Sequence, residues 1–280
     1  MNKIARNLYK QIIHNPLIQK GLQLREETAL SKLNASLHET ENLRKIDNNV
    51  LTEIFDSETS KKAWQQHHEF IKALQLPDMT GGINKGDQKA IFFLLNYFQP
   101  KTLLEIGTHI GCSTVNIALT LKQNQNTRMT TVDIIDVNDI KEKRWLQFNS
   151  TKSPRELVNV IGFGENTTFV KDDSVNFLKN CKDRFDFIFL DGTHEAKIVY
   201  QEIPLAMKLL NKNGVILLHD YYPGNEKLWS SETSIPGPYL AVKKVMKEEQ
   251  NINVLPLGNL PWETKLNSKK TSLALLTKWA

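Results

Sequence analysis

Cysteine is scarce: Cys112 and Cys181 are the only two in 280 residues. Two thiols make neither a disulfide framework nor a four-thiolate zinc site, so a reducing compartment is expected. Long apolar runs are missing as well. No stretch approaches the roughly 20 residues that a membrane-spanning helix needs, so no membrane partner is expected. The opening segment, MNKIARNLYKQIIHN, is basic but has no continuous apolar stretch and no small-residue cleavage site. No secretory signal is expected from it. With 13 glycines and 10 prolines the chain is too poor in both to be collagen-like or low-complexity. Neither sign of charge dominates: 36 Lys and Arg face 31 Asp and Glu, a formal net charge of +5. The basic residues are scattered among acidic ones, which gives no support to nucleic acid as a partner.

What is present is a core-forming chain, 40% apolar, whose texture changes once. Up to about Leu76 the apolar residues recur at three- and four-residue steps, as in Ile4, Leu8, Ile12, then Leu30, Leu33, Leu37, then Trp64, Phe70, Ile71, Leu74. This predicts helices. Within them His67-His68 reads as surface. Pro77 and Met79-Thr80-Gly81-Gly82 read as a break. Two units follow from the change: residues 1–80, a helical extension, and residues 81–280, an alternating strand and helix domain.

In the second unit, helices are expected over Asp87 to Phe98 (with Asp87 as cap), Ser113 to Lys122, Ser174 to Asn180, Glu195 to Leu210 and Tyr239 to Glu249. Strands are expected over Thr102 to Ile106, Met129 to Ile134, Thr168 to Lys171, Phe185 to Leu190, Val215 to His219, Ile252 to Leu257 and Ser272 to Thr277. Asn213-Gly214 reads as a turn, and the polar stretch 138–166 shows helical signal only at its start. Continuously apolar strands between helices imply a mostly parallel, doubly wound α/β sheet covered on both faces. Such sheets bind ligands beyond the carboxyl ends of their strands, and the unusual residues of this sequence sit there.

Glu105-Ile106-Gly107-Thr108-His109-Ile110-Gly111-Cys112-Ser113 runs from a strand through a glycine loop into a helix. Gly107 and Gly111 permit a tight turn and a close ligand. His109 stands where a dinucleotide fingerprint needs its second glycine, which disfavours a nicotinamide oxidoreductase. Asp133 ends the next strand, where a carboxylate can accept ribose hydroxyls, with Asp136 as a nearby competitor. Asp172-Asp173-Ser174 can cap a helix, touch a ligand, or both. Asp191-Gly192-Thr193-His194 follows the most apolar strand, and His219-Asp220 the one after it.

Together these pieces resemble class I S-adenosylmethionine-dependent methyltransferases, of the small-molecule and sugar O-methyltransferase type that includes macrocin-like and catechol-like enzymes. The resemblance covers roughly residues 81–220. It implies a Rossmann-like sheet of seven strands with an antiparallel last strand. It implies S-adenosylmethionine held by Glu105, Gly107, Thr108, Gly111, Ser113, Asp133 and Asp173, with Asp133 on ribose and Asp173 near adenine. It implies a hydroxylated small metabolite or sugar as acceptor, and Mg²⁺ on Asp191 and Asp220. Asp191, His194 and His219 are then the catalytic candidates, with either histidine as proton acceptor. Catechol-type enzymes follow the second metal carboxylate with Asn. Here Tyr221 follows Asp220, which leaves the rest of a metal shell unassigned. By analogy, the helical extension is a lid or a homo-oligomer contact. A cytoplasmic enzyme is expected. A cofactor-binding module without catalysis is the alternative of another class.

Overall fold

In the computed structural model, residues 15–34, 40–76, 82–230, 233–265 and 267–278 are described. Ile4, Leu8, Ile12, Leu37, Pro77 and the Met79-Thr80-Gly81 segment, all read from sequence, lie outside them.

The strands are β1 (Thr102–Ile106), β2 (Arg128–Asp133), β3 (Thr167–Lys171), β4 (Phe185–Leu190), β5 (Leu210–Leu218), β6 (Ile252–Pro256) and β7 (Ala274–Lys278). They form one seven-stranded sheet in the order β3-β2-β1-β4-β5-β7-β6. The first five are parallel, and β7 runs antiparallel to both β5 and β6. This is the mostly parallel sheet with an antiparallel last strand that the sequence predicts. An all-parallel six-stranded sheet, the oxidoreductase outcome, is not what the chain forms.

The helices are α1 (Pro16–Ser31), α2 (Asn48–Asp56), α3 (Glu58–Ala73), α4 (Lys85–Phe98), α5 (Cys112–Leu121), α6 (Pro154–Ile161), α7 (Ser174–Asn180), α8 (Ala196–Lys208) and α9 (Pro236–Glu248). Alternation along each strand divides the core between the two faces. Phe187 and Phe189 point into a cluster with α2 to α6, including Ile54, Trp64, Phe92 and Leu157. Ile188 and Leu190 point into the other cluster, with Leu178, Tyr200, Ile203 and Val242 from α7 to α9 and Leu30 from α1. The N-terminal helices are therefore part of both core layers.

Several local expectations are corrected. Asn84 rather than Asp87 caps α4; its side chain accepts from the Asp87 N–H, and Asp87 lies inside the first turn. The stretch 138–166 holds its α-helix near its end, at α6, where Ser153 and Glu156 form a capping box and Pro154 takes the first turn. Asn213-Gly214 lies within β5 instead of preceding it, beside a register shift against β4. His67 is buried, 3% exposed, with Nε2 2.9 Å from Asn116 Oδ1 on α5. Its ring packs against Trp64 and Phe92, so α3 uses it as core. That burial pushes its pKa down to about 4. Phe70, by contrast, is 39% exposed.

Candidate active site

The carboxyl ends of β1 to β5 open into one cleft of about 1610 Å³. Five aspartates line it, Asp133, Asp172, Asp173, Asp191 and Asp220, along with Gly107, His194 and His219. These positions are far apart in sequence, and the parallel topology brings them to one sheet edge. Of the predicted site residues, Glu105, Thr108, Gly111 and Ser113 are not among the lining; they support the glycine loop from behind.

Glu105 is fully buried and accepts from Thr114 Oγ1 and Thr131 Oγ1, each at 2.6 Å. Thr131 has one hydroxyl proton, given to Glu105, so it accepts from Thr108 Oγ1 at 2.6 Å. Burial pushes the Glu105 carboxyl up to about 7, against Ser113, Thr114 and Thr131, which pull it down. Gly107 has φ +101°, and a Cβ there would lie 2.1 Å from the Asp191 carbonyl oxygen. Only glycine lets the β1 turn meet the β4 turn this closely. Gly111 has φ +86° and starts α5.

Asp133 accepts the backbone N–H groups of His109 at 2.8 Å and Ile135 at 3.1 Å. Asp173 caps α7 by accepting from the Asn176 N–H at 3.0 Å, and it lines the cleft as well. Both readings of Asp173 made from sequence are thus compatible with its position. Asp172 faces the cleft beside it and takes the Asn176 side-chain amide.

At the ends of β4 and β5 the charges meet one another. His219 Nδ1 lies 2.8 Å from Asp191 Oδ1 and 3.4 Å from Asp220 Oδ2. Its Nε2 lies 3.5 Å from Asp87 Oδ2. His194 Nε2 lies 3.4 Å from Asp220 Oδ2, with the imidazole 46% exposed to the cleft. Burial lowers the pKa of His219, but Asp191 and Asp220 outweigh it and hold it well above the usual 6.5. Burial raises the Asp220 carboxyl, but His219 outweighs it, with His194 and Lys265 assisting, and the net shift is downward. Asp220 also has φ +52°, uncommon for a non-glycine residue. The loop 191–195 is wedged between two glycines: a Cβ on Gly237 of α9 would lie 1.8 Å from the His194 carbonyl oxygen. Glu26 of α1 accepts from the Ala196 N–H at 2.7 Å, capping α8 beside this loop. Trp229 and Tyr222 line the cleft as well, with Lys265 Nζ 3.7 Å above the Trp229 ring.

Residues 104–221, which span the glycine loop, Asp133, Asp173, Asp191, His194, His219 and Asp220, match the model of a family described as a methyltransferase domain. Over these residues the chain is similar to a methyltransferase domain. An O-methyltransferase of Aspergillus hancockii, hkm8, is 30% identical over 122 residues, 44% of this chain and 43% of that protein. The match thus spans less than half the length of this curated relative. Among solved structures, the O-methyltransferase TomG of Streptomyces achromogenes, involved in tomaymycin synthesis and in complex with S-adenosylmethionine, superposes with a TM-score of 0.52. It is 17% identical and covers 87% of this chain and 100% of its own. The Podospora anserina methyltransferase PaMTH1, bound to S-adenosylhomocysteine, has a TM-score of 0.52, 18% identity and coverage of 89% and 100%. At these identities the likeness establishes the fold alone, a Rossmann-like sheet flanked by helices. Among the described residues, no helix is long and apolar enough to cross a membrane.

Proposed function

We propose that the protein transfers a methyl group from S-adenosylmethionine to a hydroxyl of a small metabolite or sugar. The observation that carries this is the single cleft over the ends of β1 to β5. One half presents Gly107, Asp133 and Asp173, and the other presents Asp191, His194, His219 and Asp220. At about 1610 Å³ the cleft has room for a nucleoside cofactor and an acceptor together.

The residues present fit the cofactor. Asp133 keeps lone pairs beyond its two backbone contacts for the ribose hydroxyls, and Asp173 stands at the adenine side. Five aspartates around the cleft favour a cationic sulfonium. When bound, S-adenosylmethionine supplies an electrophilic methyl group, whose bond to sulfur breaks with the electron pair left on sulfur as the acceptor oxygen bonds to carbon. The protein's part is chiefly to hold donor and acceptor in line.

The acceptor hydroxyl must lose its proton. With no cation beside it, His219 is held in its charged form by Asp191 and Asp220 and offers no lone pair; a bound cation would displace its Nδ1 proton. His194, at the cleft rim, is the proton acceptor in this reading, and Asp220 at 3.4 Å stabilises the imidazolium that forms. Asp191, His219 and Asp220 also bring three donor atoms within 4.8 Å of one another. Two carboxylate oxygens and one imidazole nitrogen fit a divalent cation, of which Mg²⁺ is the one implied by the resemblance. Held there, such an ion would lower the pKa of the acceptor hydroxyl and orient it.

Residues 1–80 are read as an extension that braces the catalytic domain at 81–280. Supporting this, Glu26 caps α8 beside His194, and Trp64 and Ile71 of α3 enter the core. Leu17, Leu22 and Leu24 of α1 are exposed and offer a contact for a second copy. Light scattering on the full chain and on Leu17→Ser/Leu24→Ser tests that contact.

The deciding experiment is calorimetric binding of S-adenosylhomocysteine, S-adenosylmethionine and NAD⁺, followed by mass spectrometry of a hydroxylated metabolite panel for a methyl adduct. Selective binding of the methionine-derived ligands with a methylated product is the expected result. Binding of NAD⁺ alone would overturn the reading, and cofactor binding with no transfer to any acceptor would favour the non-catalytic module.

A further inference from the structure

Asp87 is a carboxylate that the mechanism above does not use. It is fully buried in the first turn of α4. Its Oδ1 accepts the Thr271 hydroxyl at 2.5 Å, and its Oδ2 accepts the Asn84 side-chain amide at 2.6 Å. The same Oδ2 stands 3.5 Å from Nε2 of His219, on the side of the ring opposite Asp191. A neutral imidazole carries one N–H. Without a cation, Nδ1 gives a proton to Asp191 Oδ1 at 2.8 Å. A cation entering the gap displaces that proton to solvent, and the proton kept on Nε2 faces Asp87 while the Nδ1 lone pair faces the gap between Asp191 and Asp220.

We propose that Asp87 is a positioning residue that fixes His219 Nδ1 as a nitrogen donor at the Asp191–Asp220 gap, so that the site takes a transition-type divalent cation such as Mn²⁺ in preference to Mg²⁺. This rests on the metal-assisted reading of the cleft given above. A carboxylate behind a ligating imidazole fixes its tautomer and ring orientation and strengthens it as a donor. Mg²⁺ favours oxygen ligands in near-ideal octahedral geometry, whereas first-row transition ions accept imidazole readily. Here one of three protein donors is nitrogen, and Tyr221, buried behind Asp220, is not an oxygen donor of the kind the catechol-type pattern supplies with Asn. Thr271 and Asn84 already satisfy Asp87 as a structural residue of α4, so the two roles separate by experiment.

The test uses the full chain saturated with S-adenosylhomocysteine, titrated with Mn²⁺ and separately with Mg²⁺ by calorimetry. Pulsed electron paramagnetic resonance of the Mn²⁺ form reads nitrogen coupling. The expected result is Mn²⁺ binding at least about tenfold tighter than Mg²⁺, with nitrogen coupling that His219→Asn abolishes. Asp87→Asn lowers Mn²⁺ affinity by about 10- to 100-fold and leaves S-adenosylhomocysteine affinity within about twofold. Thr271→Val, which removes the other bond to Asp87 but keeps its carboxylate, leaves Mn²⁺ affinity within about threefold. Equal affinity for the two ions, absent nitrogen coupling, or an Asp87→Asn protein that binds Mn²⁺ like the parent would each overturn the inference. The ion comparison and the coupling need only the parent chain, so they stand if Asp87→Asn does not fold. Failure to bind S-adenosylhomocysteine sinks the parent reading. Binding it without any cation sinks the Asp87 inference alone.

Discussion

At the ends of β2 and β3 the cleft carboxylates are held by neutral donors, whereas at the ends of β4 and β5 they are held by imidazoles. Asp133 takes two backbone N–H groups, and Asp173 takes one while capping α7. Asp191 and Asp220 meet His219, and Asp220 meets His194. Neutral donors fix a carboxylate without cancelling its charge, so the first half keeps a negative potential suited to a cationic cofactor. A charged imidazole fixes a carboxylate and offsets its charge as well. With one charged imidazole, His219, between Asp191 and Asp220, the second half keeps less of its negative charge, and moving one proton there reorganises the pairs. In the proposed function, one half serves static recognition and the other moves charge.

The contact that joins the halves is the place to break both. Gly107→Ala drives a Cβ into the Asp191 carbonyl and strains a φ of +101°. A loss of about 2–5 kcal/mol in denaturant stability is expected, with cofactor binding lost as well. His194→Ala tests whether the halves act separately. It lowers kcat by about 10²- to 10⁴-fold while the Kd for S-adenosylhomocysteine stays unchanged; a parallel rise in that Kd would show the two to be one unit. Asp133→Ala is the mirror experiment. Cofactor affinity falls by about 1.5–3 kcal/mol, and the Mn²⁺ affinity of the other half is retained, both read by calorimetry.

A smaller effect lies beneath the cleft, at Glu202 of α8. Burial pushes its carboxyl up to about 7, Ser174 pulls it down and Asp173 adds to the rise. A folded-state pKa raised above the ordinary 4.5 means that the folded state holds the proton more tightly. This contribution to stability is complete below about pH 4.5 and is lost as pH rises through about 7. Relative to Glu202→Gln, the parent chain loses on the order of 1–3 kcal/mol over that window, measured by denaturation at several pH values. A pH-independent difference would show that Glu202 stays ionised in the fold.

What the sequence made legible follows from how local each signal is. The strand Phe185–Leu190 and the helix Ser174–Asn180 were readable to the residue, because a continuous apolar run and an Asp cap are local signals. The strand-end carboxylates were readable as a group, since parallel topology places such residues at one edge. Other features depend on distant partners. His67 is buried through Asn116 on another helix, which no adjacent residue announces. Asn213-Gly214 carries a strong local turn signal, yet β4 and β7 recruit the segment around it into a strand. Asp87 reads as a cap from its neighbours, and only the fold brings it to His219. The helix at Pro154 went unread, although Ser153-Pro154-Arg155-Glu156 carries a local capping-box signal within the polar stretch.

The antiparallel strand has a consequence for how the molecule is made. β7 sits between β5 and β6, so until residues 274–278 emerge, β5 presents an open edge of Ile216, Leu217 and Leu218. Thr277 then bonds Arg44 and Ile46, closing a loop of 231 residues onto the N-terminal segment. Just before β7, the Ser272 carbonyl accepts the Tyr221 N–H, next to Asp220. The nascent chain thus completes the half proposed for the cofactor early and the half proposed for the acceptor last. Pausing of translation near residue 270 would expose a sticky strand edge to neighbouring chains.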